Sequence, residues 1–143
     1  MANLITRANY KDYMKMEHNK DDSKIDILVA SISQLVKTYC GNAIVDYYSS
    51  AKTETFDIDD TYTSEIFVTE SPLNSVTSVQ ERDSIADSYT TLTANTDYYV
   101  DTEHDRIFRI DGEKSIEYYK KGFASVKVVY NAGYSAVPTD LKL

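Results

Sequence analysis

The sequence contains few of the residues that mark disulfide-bonded or nucleotide-binding proteins. Its 143 residues include one cysteine, two prolines, four glycines and no tryptophan. The single cysteine, Cys40, cannot form an intrachain disulfide, and a lone thiol fits a reducing compartment. We expect Cys40 to be a small buried residue at the end of a helix. The glycines, at positions 41, 112, 122 and 133, are too far apart for a GxGxxG motif or a P-loop.

Long apolar segments are also absent. No run approaches the roughly 20 residues that a membrane-spanning helix needs. Residues 1–10 lack the apolar segment of a secretory signal peptide. We therefore expect the protein to be made and to stay in the cytoplasm of the cell that produces it, with no membrane partner.

Acidic clusters give only weak indications of a metal site. An EF-hand loop starting at Asp57 would need Asp or Asn at its fifth position and Gly at its sixth, where Thr61 and Tyr62 stand. This mismatch favours a solvated acidic turn over a calcium site. Residues 101–105 include metal-ligand types, but His104 has no second histidine at zinc-ligand spacing. We expect no bound metal.

The sequence gives no pattern for catalysis. A nucleophilic cysteine or serine needs an oriented base beside it, and the neighbours of Cys40, Tyr39 and Gly41, offer none. A pair of carboxylates says little in a chain with 23 acidic residues. The residues therefore predict neither an enzyme nor a cofactor.

What the chain does contain is negative charge and tyrosine. The formal net charge is -8, which argues against tight wrapping of nucleic acid, since that needs clustered Lys and Arg. The charge suits a surface that DNA passes without sticking, and it suits plain solubility equally well. Thirteen tyrosines suit half-buried strands and subunit interfaces, and they also suit sugar-binding surfaces.

Two helices are predicted in the first 40 residues. Thr6 can cap a short helix over residues 7–15. Apolar residues from Ile25 to Tyr39 then recur at the spacing i, i+3, i+4, i+7, which predicts an amphipathic helix over residues 24–40. Ser23 is its expected N-cap and Gly41 its C-terminal stop. Because a helix normally packs on its own sheet, we expect Leu28, Ile32 and Leu35 of this helix to belong to the core.

Beyond Gly41 the apolar period changes to two, which predicts strands. Expected strands cover residues 43–48, 53–58, 65–69, 75–81, 90–92, 98–101 and 125–130. The Asp111-Gly112 turn predicts a hairpin between residues 106–110 and 114–118. Helices followed by strands without alternation indicate an α+β fold with an antiparallel sheet. We expect one domain over residues 1–143, with the start of a C-terminal helix at its end.

Several segments, taken in order, resemble the head–tail connector family of tailed phages, also called head completion or adaptor proteins. The resemblance spans nearly the whole chain and is strongest near the C-terminus. The segments are LIT at 4–6, DD at 21–22, VKTYCG at 36–41, SPLNSVTSV at 71–79, YYVD at 98–101, VVYNAGY at 128–134 and VPTDLK at 137–142.

This resemblance implies a structural virion protein in the neck, without enzyme activity or cofactor. It implies a ring of identical subunits, typically twelve, that docks under the portal protein, extends the DNA channel and carries a stopper or tail-completion protein. DNA would pass through without sequence-specific binding. The net charge of -8 adds the hypothesis that acidic side chains line the channel and repel phosphates. In the family, the segment matching residues 138–142 opens a longer C-terminal helix that grips the portal, so that role stays open for residues 139–143.

A head-to-tail ring uses two different patches on each subunit. We expect these patches on the long helix, on the tyrosine-rich strands and near the C-terminus, and contacts to other ring components on the loops 59–64 and 82–88. The alternative is a tyrosine-rich β module of a phage tail that recognises a host surface. The candidate interface residues are Ile25, Val29, Val36, Tyr39, Tyr47, Tyr48, Tyr118, Tyr119, Asp140 and Leu141.

Overall fold

A computed structural model describes residues 1–141 and has two helices followed by seven strands. The helices are α1 (Arg7–Met14) and α2 (Asp22–Cys40). The strands are β1 (Lys52–Ile58), β2 (Glu65–Phe67), β3 (Leu73–Glu81), β4 (Thr90–Thr91), β5 (Tyr98–Asp101), β6 (Arg106–Arg109) and β7 (Gly122–Ala132). This order confirms the predicted α+β class. A 3-10 turn over Thr139–Leu141 stands where the start of a C-terminal helix was expected, and residues 142–143 lie outside the described part. That residues 1–143 form one domain stays a prediction.

The strands form two antiparallel sheets that enclose the core. The four-stranded sheet has the order β1-β7-β3-β4, and the three-stranded sheet has the order β2-β6-β5. The strand β7 runs through the middle of the larger sheet and alternates as the sequence predicted, with Val126, Val128 and Tyr130 fully buried. They pack with inward side chains of both sheets, among them Val79 of β3 and Ile107 of β6.

Capping chemistry accounts for the start of α1 and the end of α2. Thr6 caps α1 as predicted: its side-chain oxygen accepts a hydrogen bond from the Asn9 N–H at 3.1 Å, and the Asn9 side chain accepts one from the Thr6 N–H. Gly41 ends α2 in a left-handed conformation at φ 64°. The predicted cap Ser23 is wrong. The helix α2 starts two residues earlier than predicted, with Asp21 as its N-cap. Asp22 in its first turn pairs with Lys11 of α1 at 2.9 Å.

Two predicted strands are wrong, for different reasons. Residues 114–118 cannot join a ladder with β6, because β6 already pairs with β2 on one side and β5 on the other. The Asp111 carboxylate instead accepts N–H groups of the turn that follows, and one isolated bridge joins Ile110 to Ile116. Residues 43–48 form consecutive turns, in which Ile44 adopts a positive φ of 65° that strands do not use.

These turns attach the helices to the larger sheet. The Ile44 carbonyl accepts the Tyr134 N–H at 2.8 Å, and the Tyr47 carbonyl accepts the Ala132 N–H at 3.1 Å, just where β7 ends. A Cβ at Gly133 would overlap the Ile44 carbonyl oxygen. We call this attachment of the turns over residues 43–48 to the end of β7 the joint. The joint depends on a close backbone contact that only glycine permits.

Candidate interaction surface

The helix α2 buries only one narrow stripe. Its buried residues are Ile25, Val29, Ser33 and Lys37, one in every four, which lie along a single line on a helix. Among the described elements, α2 makes its main contact with α1 and no extensive contact with a strand of either sheet. The expectation that α2 would lie on its own sheet is therefore wrong.

The N-terminal segment covers this stripe. Leu4 is buried, and its N–H donates to the Ser33 hydroxyl at 3.0 Å. The Lys37 ammonium donates to the Ala2 carbonyl at 2.6 Å and to the Asp46 carboxylate at 2.7 Å, and the Ala2 N–H donates to the other Asp46 oxygen at 2.7 Å.

Burial alone would raise the pKa of Asp46, but hydrogen bonds from Lys37 and from the Ala2 N–H outweigh it and leave the pKa below its ordinary value. Asp46 therefore stays ionised and balances the buried lysine. Its charge joins the N-terminal segment, α2 and the turns after α2.

Within residues 1–141, no other segment covers a second apolar stripe of α2. Leu28, Ile32, Leu35 and Tyr39 are 50, 52, 67 and 92% exposed, and they lie about a quarter of a turn from the buried line. Tyr13 of α1, 68% exposed, lies across a groove from Ile32. We call these five residues the helix surface. The prediction that Leu28, Ile32 and Leu35 are core is wrong, because the N-terminal segment fills only one side of the apolar face.

Two apolar grooves border the helix surface. One, of about 170 Å³, is lined by Ile5, Asn9, Tyr10, Tyr13 and Ile32. The other, of about 140 Å³, is lined by Leu4, Ile5, Ile32, Ser33, Val36 and Leu141. The grooves meet at Ile5 and Ile32, so the exposed apolar area extends from α2 onto α1 and toward the C-terminal turn.

The ten residues predicted for an interface fall into two groups. Three of them, Ile25, Val29 and Tyr119, are buried within the chain, and the other seven are exposed or half-buried. Tyr119 donates its hydroxyl to the Ile107 carbonyl at 3.2 Å, and burial raises its pKa. The exposed or half-buried residues are Val36, Tyr39, Tyr47, Tyr48, Tyr118, Asp140 and Leu141.

The structure brings only some of these seven together. Val36 and Leu141 line the same groove beside the helix surface, to which Tyr39 belongs. Tyr47 lies under the Lys52 ammonium in the joint, 5.4 Å from ring centroid to nitrogen. Tyr118 lies elsewhere and packs edge-on against Tyr62 with ring centroids 5.5 Å apart.

Sequence reasoning missed the three leucine and isoleucine residues that dominate the helix surface. The available signal was the width of the apolar face of α2: seven of the apolar residues between positions 25 and 39 follow the helical spacing and make a face broader than one short neighbouring segment can cover. Cys40 was also misplaced. It is exposed at the end of α2.

Within residues 1–141 no three His, Cys, Asp or Glu side chains come close enough to hold a metal ion. No helix in this part has the length and apolar character to cross a membrane.

Comparison with known proteins gives a family and a fold. The sequence profile described as head completion protein matches residues 3–143. No curated protein sequence matches the chain.

Solved structures similar to the chain include three from gene transfer agent (GTA) particles. The neck of an empty GTA particle, computed with C6 symmetry, matches at 16% identity over 96% of this chain and 71% of that one, with a TM-score of 0.62. The neck of the native GTA particle, computed with C12 symmetry, matches at 17% identity over 98% and 75%, with a TM-score of 0.58. The virion of a native gene transfer agent particle matches at 16% identity over 96% and 71%, with a TM-score of 0.61.

Proposed function

The chain belongs to the head completion protein family, and from this premise we propose that it is a structural subunit of the virion neck, where copies of it form a ring that connects head to tail. The proposal gives the protein a mechanical role and no catalytic one. Its place would be the head–tail junction of a phage-like particle, reached after synthesis in the host cytoplasm.

The helix surface carries this proposal. Its five side chains expose on the order of 500 Å² of mostly apolar area, the size at which a patch on a monomer marks an interaction site. A standard interface covers about 800 Å² per partner, of which about 57% is apolar, so the patch matches one side of such a contact. A chain that worked alone would leave this area in water at a cost.

The fold likeness supports the same place and assembly. The similar structures come from the necks of GTA particles computed with C6 and C12 symmetry. A cyclic ring of identical subunits needs a contact between two different patches, repeated around an axis. A helix surface that lies beside the sheets rather than under them is free to make that contact.

The finer arrangement follows from the family resemblance. The ring, of twelve subunits, would dock below the portal protein, extend the DNA channel and present a platform for a stopper or tail-completion protein. The net charge of -8 would keep the channel wall from binding phosphates, so that DNA passes without sequence-specific contacts.

Sedimentation and electron microscopy of the purified chain, alone and with the portal protein that we propose as its partner, test the proposal. The wild-type chain should form closed rings in at least one of these two conditions. A Leu35→Glu variant should stay monomeric in both, because the new carboxylate would have to be buried without a partner.

Phe123→Glu is the matched control. Phe123 is 73% exposed and Leu35 67%, but Phe123 lies at the start of β7 and outside the helix surface. This variant should assemble as the wild type does. A wild-type chain that stays solitary both alone and with portal protein would refute the ring, and equal assembly of Leu35→Glu would refute the role of the helix surface.

A further inference from the structure

The outer face of the three-stranded sheet carries aromatic residues around a charged cluster. Strand register places Glu65, Phe108 and Tyr99 in one cross-strand row and Phe67, Arg106 and Asp101 in the next. The side chains between these rows, among them those of Ile66 and Ile107, point inward and are buried. Antiparallel sheets with a solvated face usually carry polar residues on it. Here Phe67 and Tyr99 are 57 and 52% exposed.

Arg106 lies at the centre of this face and is held in place. Its guanidinium donates to Asp101 at 2.9 Å and to Glu65 at 3.0 Å, and it covers the Phe108 ring at 4.7 Å from the centroid. Both carboxylates belong to the face itself, so the arginine is oriented before any partner arrives. We call Phe67, Tyr99, Arg106 and Phe108 the sheet surface.

The aromatic area continues beyond the strand ends. The Ser64 carbonyl accepts the Arg109 N–H at 2.7 Å, and the Thr63 carbonyl accepts the Tyr119 N–H at 2.8 Å. These bonds extend the β2 side of the sheet to the edge-on pair of Tyr62 and Tyr118, both exposed. Rigid aromatic side chains with an ordered arginine are the residues that dominate binding energy at protein interfaces.

We propose that the sheet surface is the docking site for the helix surface of a second copy of this chain. This inference rests on the proposed ring and names the two patches that close it. A head-to-tail contact needs two different surfaces on each subunit, and in the described residues these two are formed by separate parts of the fold. An aliphatic stripe from α2 would lie across a flat aromatic face, without burying a charge that lacks a partner.

The two areas agree in size. The sheet surface and its tyrosine pair together expose on the order of 500 Å², comparable to the helix surface and to the apolar half of a standard interface. Arg106 meets its charge partners within its own subunit, so docking would leave no unpaired cation.

A mixing experiment with two defective variants tests the pairing. Leu35→Glu damages the helix surface and keeps the sheet surface, while Phe67→Glu does the reverse. Each variant alone lacks one half of every contact and should be monomeric, its self-association weakened more than about 100-fold. Mixed together they retain one intact contact, between the helix surface of Phe67→Glu and the sheet surface of Leu35→Glu. The mixture should give 1:1 heterodimers and no rings.

The control Phe123→Glu changes an aromatic residue that is 73% exposed at the start of β7, outside both surfaces, and should assemble as the wild type does. Circular dichroism with a thermal melt on every variant separates loss of contact from loss of fold. If Phe67→Glu folds and breaks assembly only because it damages the sheet surface, Tyr99→Glu, which damages the same surface, must give the same heterodimer with Leu35→Glu.

Each other outcome overturns part of the reasoning. Normal rings from Phe67→Glu, or two monomeric variants that do not dimerise when mixed, would refute this docking while leaving the ring intact. Binding of a glycan by the wild type that Phe67→Glu loses, with ring formation unchanged, would assign the sheet surface to sugar recognition instead. A wild type that never assembles would refute the proposed function itself.

Discussion

A Gly133→Ala substitution should destabilise the chain more than the same change at Gly41 or Gly112. Gly133 has a φ of +96°, and a Cβ there would overlap the Ile44 carbonyl oxygen. Gly41 also has a positive φ, of +64°, but an added Cβ would meet open space. At Gly112 there is neither a positive φ nor a neighbour within 4 Å. The three glycines thus separate backbone strain from steric overlap.

The magnitudes follow from those differences. Left-handed backbone costs alanine about 1 kcal/mol at both Gly41 and Gly133. At Gly133 the overlap must also shift the joint, which holds the Tyr134 N–H on the Ile44 carbonyl and the Gly133 N–H on the Pro72 carbonyl, each at 2.8 Å. Losing those two bonds adds about 1 kcal/mol each. The expected losses are about 3 kcal/mol at Gly133, about 1 kcal/mol at Gly41, and close to none at Gly112.

Urea unfolding followed by tyrosine fluorescence and by circular dichroism measures these values, because the midpoint shifts in proportion to the free energy of unfolding at constant slope. The order of the three variants is the decisive result. If Gly133→Ala were no worse than Gly41→Ala, the close approach of β7 to the turns after α2 would be wrong, and with it the attachment of the helices to the sheet.

Two further changes test the helical half of the fold. Asp46→Asn should destabilise the chain by about 3 kcal/mol near neutral pH, because Lys37 would keep a buried charge without its partner. The folded-state pKa of Asp46 lies below its ordinary value of 3.8, so its contribution is complete above that pH and is lost as the pH falls through the folded value. Unfolding curves at stepped pH should therefore show less acid sensitivity in the variant, and an unchanged acid limb would contradict the pairing. Thr6→Ala should cost about 1 kcal/mol by removing the cap of α1, whereas Thr6→Ser should cost little; urea midpoints that do not distinguish the two would exclude the cap.

The fold separates a part that stabilises the chain from a part that is open to contact. The apolar core lies between the two sheets, with Val79, Ile107, Val126, Val128 and Tyr130 fully enclosed. The helices add little to it, since α2 contacts chiefly α1 and the N-terminal segment. A helix that the core does not need can lose its outer apolar residues without unfolding the sheets. This is why variants such as Leu35→Glu are expected to test assembly and not folding.

Local chemistry in the sequence determined the existence and ends of most elements. Thr6 starts α1 by a local hydrogen bond, and Gly41 ends α2 by its backbone freedom. Neither effect needs a partner that is distant in the sequence. The alternation of Val126, Val128 and Tyr130 placed β7 correctly, because period-two burial is a property of any strand with one face on a core. The segments that resemble head completion proteins indicated the family to which the chain belongs.

Tertiary structure decided which apolar residues stay exposed. The sequence could show that α2 has a broad apolar face but not that a short N-terminal segment, held by Asp46 and Lys37, would cover only one side of it. Nor could it show that β6 lies between two strands and so excludes residues 114–118, or that Phe67 of β2 and Tyr99 of β5 point outward on the same face. Burial and pairing depend on what other segments occupy the neighbouring space, and that information is not contained in any one stretch of residues.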